Sequence, residues 1–134
     1  MIPFAQMSQE VTKSILVADD DLGFLLWAAS ILAQAGYSLR PAKSVAEALK
    51  WIENPDAKFH LLFIDPDFPA ASYLVHRARE NHPGLKVASL SDTSGVVDIG
   101  ADAVISKPAN ADSPDTISAW VKKIARLISQ QSIA

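Results

Sequence analysis

Leu61-Leu62-Phe63-Ile64-Asp65-Pro66-Asp67 sets an unbroken apolar run against an abrupt acidic turn. A strand that is apolar at every position has no solvated face, so it belongs in a parallel sheet covered by helices on both sides. The pattern recurs outward from it in Ile15-Leu16-Val17-Ala18, Val87-Ala88-Ser89-Leu90 and Ala103-Val104-Ile105. Three of the runs read as buried on both faces. Tyr37-Ser38-Leu39 alternates more in polarity and suits a position nearer an edge.

Helical patterns fill the intervals. Leu22 to Ala35 is stopped by Gly36, which can take the left-handed conformation that ends a helix. Ser44-Val45-Ala46-Glu47 is a capping box, and the helix it opens ends near Asn54-Pro55. Ala70 to Asn81 is stopped by Pro83-Gly84. Ser113-Pro114-Asp115 opens the last helix, with a proline where its missing N–H costs nothing and an acid that suits the helix dipole. Ile117, Trp120, Val121, Ile124, Leu127 and Ile128 give that helix one apolar face. Strict alternation of strand and helix predicts a single doubly wound five-stranded parallel sheet.

The bulk properties exclude several function classes. A net charge of −3 without a basic cluster argues against a nucleic-acid footprint; Lys122, Lys123 and Arg126 read as the solvated face of one helix. The chain has no cysteine, which leaves no disulfide framework or thiolate metal site and fits a reducing cytoplasm, the expected location. The longest apolar run, Phe24 to Ala29, is too short to cross a bilayer, so no membrane association is expected. Residues 1–12 read as a loose leader without a secretory pattern, 13–130 as the domain and 131–134 as a tail.

Ligands of open parallel sheets bind at the carboxyl ends of the strands. Asp19, Asp20 and Asp21 follow the first run, Asp65 and Asp67 the third, Ser91 the fourth and Lys107 the fifth. Carboxylates crowded at one end repel each other, by about 4 kcal/mol per pair at about 4 Å in an intermediate dielectric, so a cation is expected among them. Oxygen ligands alone select a hard ion, Mg²⁺ or Mn²⁺, and Mg²⁺ often shares its shell with phosphate. Asp65, directly off a fully apolar strand, is the candidate nucleophile for an acyl phosphate. Asp19 and Asp20, with Asp65 and the backbone carbonyl of Asp67, form the candidate metal site. Lys107 is expected to pair with Asp65 at rest and with a phosphoryl oxygen afterwards, and Ser91 to donate its hydroxyl to another. Asp21 reads as a helix cap. His60, His76 and His82 share no metal-ligand spacing and read as structural or exposed.

The order Leu16-Val17-Ala18-Asp19-Asp20, Phe63-Ile64-Asp65-Pro66-Asp67-Phe68-Pro69, Ser91, then Gly100-Ala101-Asp102-Ala103-Val104-Ile105-Ser106-Lys107-Pro108 resembles response-regulator receiver domains. The likeness runs from Lys13 to Ile128 and implies the flavodoxin-like receiver fold. It also implies phosphoryl transfer to Asp65 from a sensor histidine kinase or histidine phosphotransfer protein, slow self-hydrolysis, and output through contacts with a downstream protein by a monomer or weak dimer. Nearly all the chain is taken up by this likeness, which reads as a stand-alone receiver.

The chain departs from the family in several places. Ser91 and Lys107 lie sixteen positions apart, about six residues short of the usual spacing and more than one and a half helical turns. The fourth helix is therefore expected to be truncated or missing, with a loop through Ser94-Gly95. Val104 stands where a switching Tyr or Phe is usual, Ala109 replaces a bulky residue, Asp92 a small one, and Ala70-Ala71 an Asp-Gly. The first helix has no charge between Asp21 and Arg40, so Leu26 and Trp27 are expected to be exposed, suiting a partner or dimer contact, unless Trp27 is a large core residue. Two other functions compete. One is a phosphorylation-independent pseudo-receiver; the other is a haloacid-dehalogenase-type phosphatase built on Asp65-Pro66-Asp67, which lacks the expected motif position and a cap domain.

Overall fold

In the computed structural model, which describes residues 13–90, 99–108 and 112–130, each of the five runs read as strands forms one. The elements are β1 (Lys13–Ala18), α1 (Leu22–Gln34), β2 (Tyr37–Ala42), α2 (Val45–Ile52), β3 (Leu61–Ile64), α3 (Ala71–Asn81), β4 (Lys86–Ser89), β5 (Ala103–Val104) and α4 (Pro114–Ser129). All strand pairs are parallel, in the order β2-β1-β3-β4-β5. This is the flavodoxin-like arrangement, with its strand-order reversal between β1 and β3. β2 is the edge strand its polarity suggested, and it carries Pro41 there, where a missing N–H is tolerated.

Period-two alternation divides the core. Leu16, Ala18, Leu62 and Ile64 face one side, under Ala48 and Ile52 of α2 and Leu74, Val75 and Ala78 of α3. Ile15, Val17, Leu61 and Phe63 face the other, under Phe24, Leu25, Ala28 and Leu32 of α1 and Trp120, Ile124, Leu127 and Ile128 of α4. The helices therefore flank a sheet whose central strands have no face left for water, as the unbroken apolar runs require.

Four helices stand among the described residues. The numbering passes directly from α3 to the last helix, and residues 91–98, where a truncated helix was expected, lie outside the described residues, as do 1–12, 109–111 and 131–134. Helix ends match their caps: Asp21 and Ser44 accept from Phe24 N–H and Glu47 N–H at 3.1 Å each, and Gly36 has φ 94° just past α1. Glu47 reaches one residue beyond the cap itself, to the Lys43 N–H at 2.7 Å. No helix among the described residues is long and apolar enough to cross a membrane.

One expectation on exposure is corrected. Leu26 is exposed, but Trp27 is half-buried, its ring 4.9 Å from that of Trp120 and 6.1 Å from that of Phe24. A wide apolar surface on α1 is needed because α4 brings a second large ring against it.

Candidate phosphoacceptor site

The reversal point brings the site together. Ala18 and Ile64 are register partners, so the next residues of β1 and β3, Asp19 and Asp65, emerge side by side. The ladder continues through them: Asp19 N–H donates to Ala42 C=O and Asp65 N–H to Ala18 C=O, both at 3.1 Å. β5, on the same side of the reversal, delivers Lys107 to the same end of the sheet.

Asp19 is wholly buried. Its Oδ1 accepts the Asp21 N–H at 2.9 Å. Its Oδ2 is sealed from solvent and meets no donor in good hydrogen-bond geometry; its neighbour is the Lys107 ammonium at 2.8 Å, a close ion pair off the preferred line. Asp65 is partly open to solvent, its side chain 23% exposed. Asp65 Oδ1 accepts the Asp67 N–H at 2.8 Å, and Asp65 C=O accepts the Phe68 N–H at 2.9 Å, so the turn pins the carboxylate. Oδ2 faces Lys107 Nζ at 3.7 Å.

The sequence placed Lys107 chiefly on Asp65. The structure places it closer to Asp19, because a fully buried carboxylate needs the charge more than a partly hydrated one. Burial lifts the Asp65 carboxyl above its ordinary value and the Asp19 charge adds to this, outweighing the Asp67 N–H and Lys107. Burial works to lower the Lys107 ammonium, but the Asp19 contact and the charges of Asp19, Asp65 and Asp21 prevail and leave it raised.

The remaining expected ligands stand further out. Asp20 and Asp67 are exposed, and no three acidic or histidine side chains among the described residues converge into a ready metal-binding group. The cation that crowding demands is thus supplied in part by Lys107. The residues still fit a hard divalent ion: Mg²⁺ keeps several waters and needs only one or two carboxylates, and the donors here are all oxygens, one of them a buried carboxylate oxygen without a proper donor. Ser91 lies outside the described residues.

Asp21 is the N-cap of α1, as read from the sequence. The histidines do not meet. His60 Nδ1 accepts the Ser14 N–H at 3.2 Å, His82 Nε2 donates to Ile52 C=O at 2.9 Å, and His76 lies 3.6 Å from Glu80 on the surface of α3.

Sequence reading missed what lies behind the lysine. Lys107 Nζ sits 4.8 Å from the centroid of the Phe24 ring. Beside it a cavity of about 420 Å³ is lined by Asp21, Gly23, Phe24, Trp27, Lys107 and Pro108. The three-residue spacing of Phe24 and Trp27 on one helix face was a usable signal; their meeting with Lys107 and Trp120 was not, since it spans most of the chain.

Searches with protein-family models find no match, and the search of curated proteins finds none either. Solved structures do match. A response-regulator receiver domain protein (CheY-like) from Methanospirillum hungatei JF-1 is 28% identical, covering 90% of this chain and 97% of that one, with TM-score 0.73. A response regulator from Thermotoga maritima is 26% identical over 90% of this chain and 100% of its own, with TM-score 0.70. The response regulator protein TrrA from Thermotoga maritima, in complex with Mg(2+)-BeF, shares the fold at 23% identity and TM-score 0.67, over 86% of this chain and 98% of that one.

Proposed function

From a chain with the fold of response-regulator receiver domains, we propose a signalling receiver that accepts a phosphoryl group on Asp65 in an Mg²⁺-dependent reaction. The observation that carries this reading is the meeting of Asp19, Asp65 and Lys107 at the strand-order reversal, with one oxygen of Asp65 held by the backbone and the other turned toward the ammonium.

Asp65 Oδ2 attacks phosphorus, and the bond from phosphorus to the donor breaks as the new P–O bond forms. The donor leaves with the bonding pair, as imidazole from a phosphohistidine or as acetate from acetyl phosphate. The Asp67 N–H holds Oδ1, so the carboxylate cannot rotate away from the line of attack. Lys107 keeps its contact with Asp19 and turns from Asp65 toward a phosphoryl oxygen, balancing the added charge. Asp19, Asp20, Asp65 and the Asp67 carbonyl would hold the Mg²⁺, which when bound neutralises charge on the phosphoryl oxygens. Ser91 would donate to another phosphoryl oxygen. The donor is the histidine of a sensor kinase or phosphotransfer protein, and output runs through contacts with a downstream protein in the cytoplasm.

One observation favours a second reading, a module that never carries phosphate. Lys107 already neutralises the buried Asp19 at 2.8 Å, so the pocket is not electrostatically dependent on a metal. Incubation with Mg²⁺ and acetyl phosphate, followed by intact mass, separates the two. Wild type gains one hydroxylamine-labile phosphoryl group and Asp65→Asn gains none. An unmodified wild type favours the second reading, and sustained release of phosphate over many turnovers favours a phosphatase.

A further inference from the structure

Lys107 has three donors and three flanks. On one flank stands Asp19 Oδ2 at 2.8 Å and on another Asp65 Oδ2 at 3.7 Å, both as ion pairs; on the third is the face of Phe24, its ring centroid 4.8 Å from Nζ. The ring is nearly buried and has aromatic neighbours. It packs edge-on to Trp120 at 6.2 Å and against Trp27 at 6.1 Å, and Trp27 itself lies 4.9 Å from Trp120. Trp120 also stacks on Phe63 at 5.8 Å and an interplanar angle of 16°. Phe63 stands two residues before Asp65 on β3. One aromatic cluster therefore supports both reacting partners, the nucleophile through Phe63 and the ammonium through Phe24.

We propose that Phe24 is a positioning residue for the phosphoryl-transfer reaction, its ring face holding the Lys107 ammonium where it can serve both Asp19 and the incoming phosphoryl group. The inference rests on the phosphoacceptor reading of Asp65. A cation over an aromatic face is held by the ring's quadrupole, more strongly where water is partly excluded. Here the lysine side chain is 19% exposed and the ring nearly buried. Without the ring the ammonium has the buried Asp19 carboxylate as its one strong anchor and swings away from the space over Asp65. An aliphatic side chain fills the volume but offers no such anchor.

The test uses the full chain with Phe24→Leu, which keeps an apolar residue of similar bulk, and Phe24→Tyr, which keeps the ring. The first readout is the Lys107 ε-methylene resonance, assigned by its loss in Lys107→Arg. A ring face above the ammonium shifts it upfield in wild type; Phe24→Leu returns it to the ordinary lysine position and Phe24→Tyr restores the shift. The second is phosphorylation by acetyl phosphate with Mg²⁺, whose rate falls roughly two- to fivefold in Phe24→Leu and recovers in Phe24→Tyr. An unshifted wild-type resonance, a shift that survives Phe24→Leu, or a rate that Phe24→Leu leaves unchanged while wild type is phosphorylated overturns the proposal. A wild type that takes no phosphoryl group sinks the phosphoacceptor reading instead and with it the role in transfer, while the resonance still decides whether Phe24 places Lys107.

Discussion

At Asp65, burial is the largest influence on the carboxyl and raises its pKa, with the Asp19 charge acting in the same direction. A group whose folded-state pKa is raised contributes stability that is fully present below its unfolded value and is lost as pH rises through the folded value. Ionised Asp65 therefore weighs against the fold at neutral pH. Asp65→Asn, which cannot ionise, should melt at a higher temperature than wild type at neutral pH, with the gap closing as the pH falls through the carboxylate range; thermal unfolding across that range checks it. The neighbouring lysine has the opposite importance for stability. Lys107→Met leaves Asp19 buried without a counter-charge and should cost about 3 kcal/mol by denaturant unfolding. Saturating Mg²⁺ should recover more of that loss than it adds to wild type, because the ion can then take the vacated place. Asp19, Asp65 and Lys107 were legible in the sequence because each lies within two residues of the end of an apolar run. Which carboxylate holds the lysine was not, since that follows from Asp19 being sealed and Asp65 being open.

The elements themselves were largely written in local patterns: apolar runs of strand length, Ser44 and Ser113 caps, and the Gly36 stop. The start of α3 shows what local pattern omits. The sequence reading began this helix at Ala70, but Ala70 takes a left-handed backbone, φ 57° and ψ 32°, offers α3 no side-chain cap, and the helix starts at Ala71. An L-residue with a Cβ pays for that conformation, whereas glycine adopts it readily. Ala70→Gly should stabilise the protein by about 0.5–1 kcal/mol, the relief of strain exceeding the added freedom of the unfolded chain; chemical denaturation measures it. β5 shows the other limit. Its two residues are held by contacts from distant parts of the chain: Asp102 N–H donates to Val87 C=O and its Oδ2 accepts Val87 N–H, both at 2.8 Å, while Arg79 donates to Gly100 C=O at 2.6 Å. Such a clamp between α3 and the approach to β5 has no local signature.

Across the whole molecule, strand order creates the site. Because β2 turns to one side of β1 and β3 to the other, the carboxyl ends of β1 and β3 open side by side at the reversal, and β5 brings a lysine to the same end. The two helical layers then differ in their role. The layer of α2 and α3 has its own ring pair, Trp51 edge-on to Phe59, away from the lysine, while that of α1 and α4 carries Phe24, the ring that reaches Lys107. Val104, where a receiver usually has an aromatic residue, is 64% exposed. The central claim is that Asp65 itself becomes an acyl phosphate. Treating the protein with Mg²⁺ and acetyl phosphate, trapping the product with tritiated borohydride and mapping the peptides tests it directly, since reduction marks the phosphorylated aspartate as tritiated homoserine. The label should fall on residue 65 alone and disappear in Asp65→Asn; no label, or label on another residue, would contradict the claim.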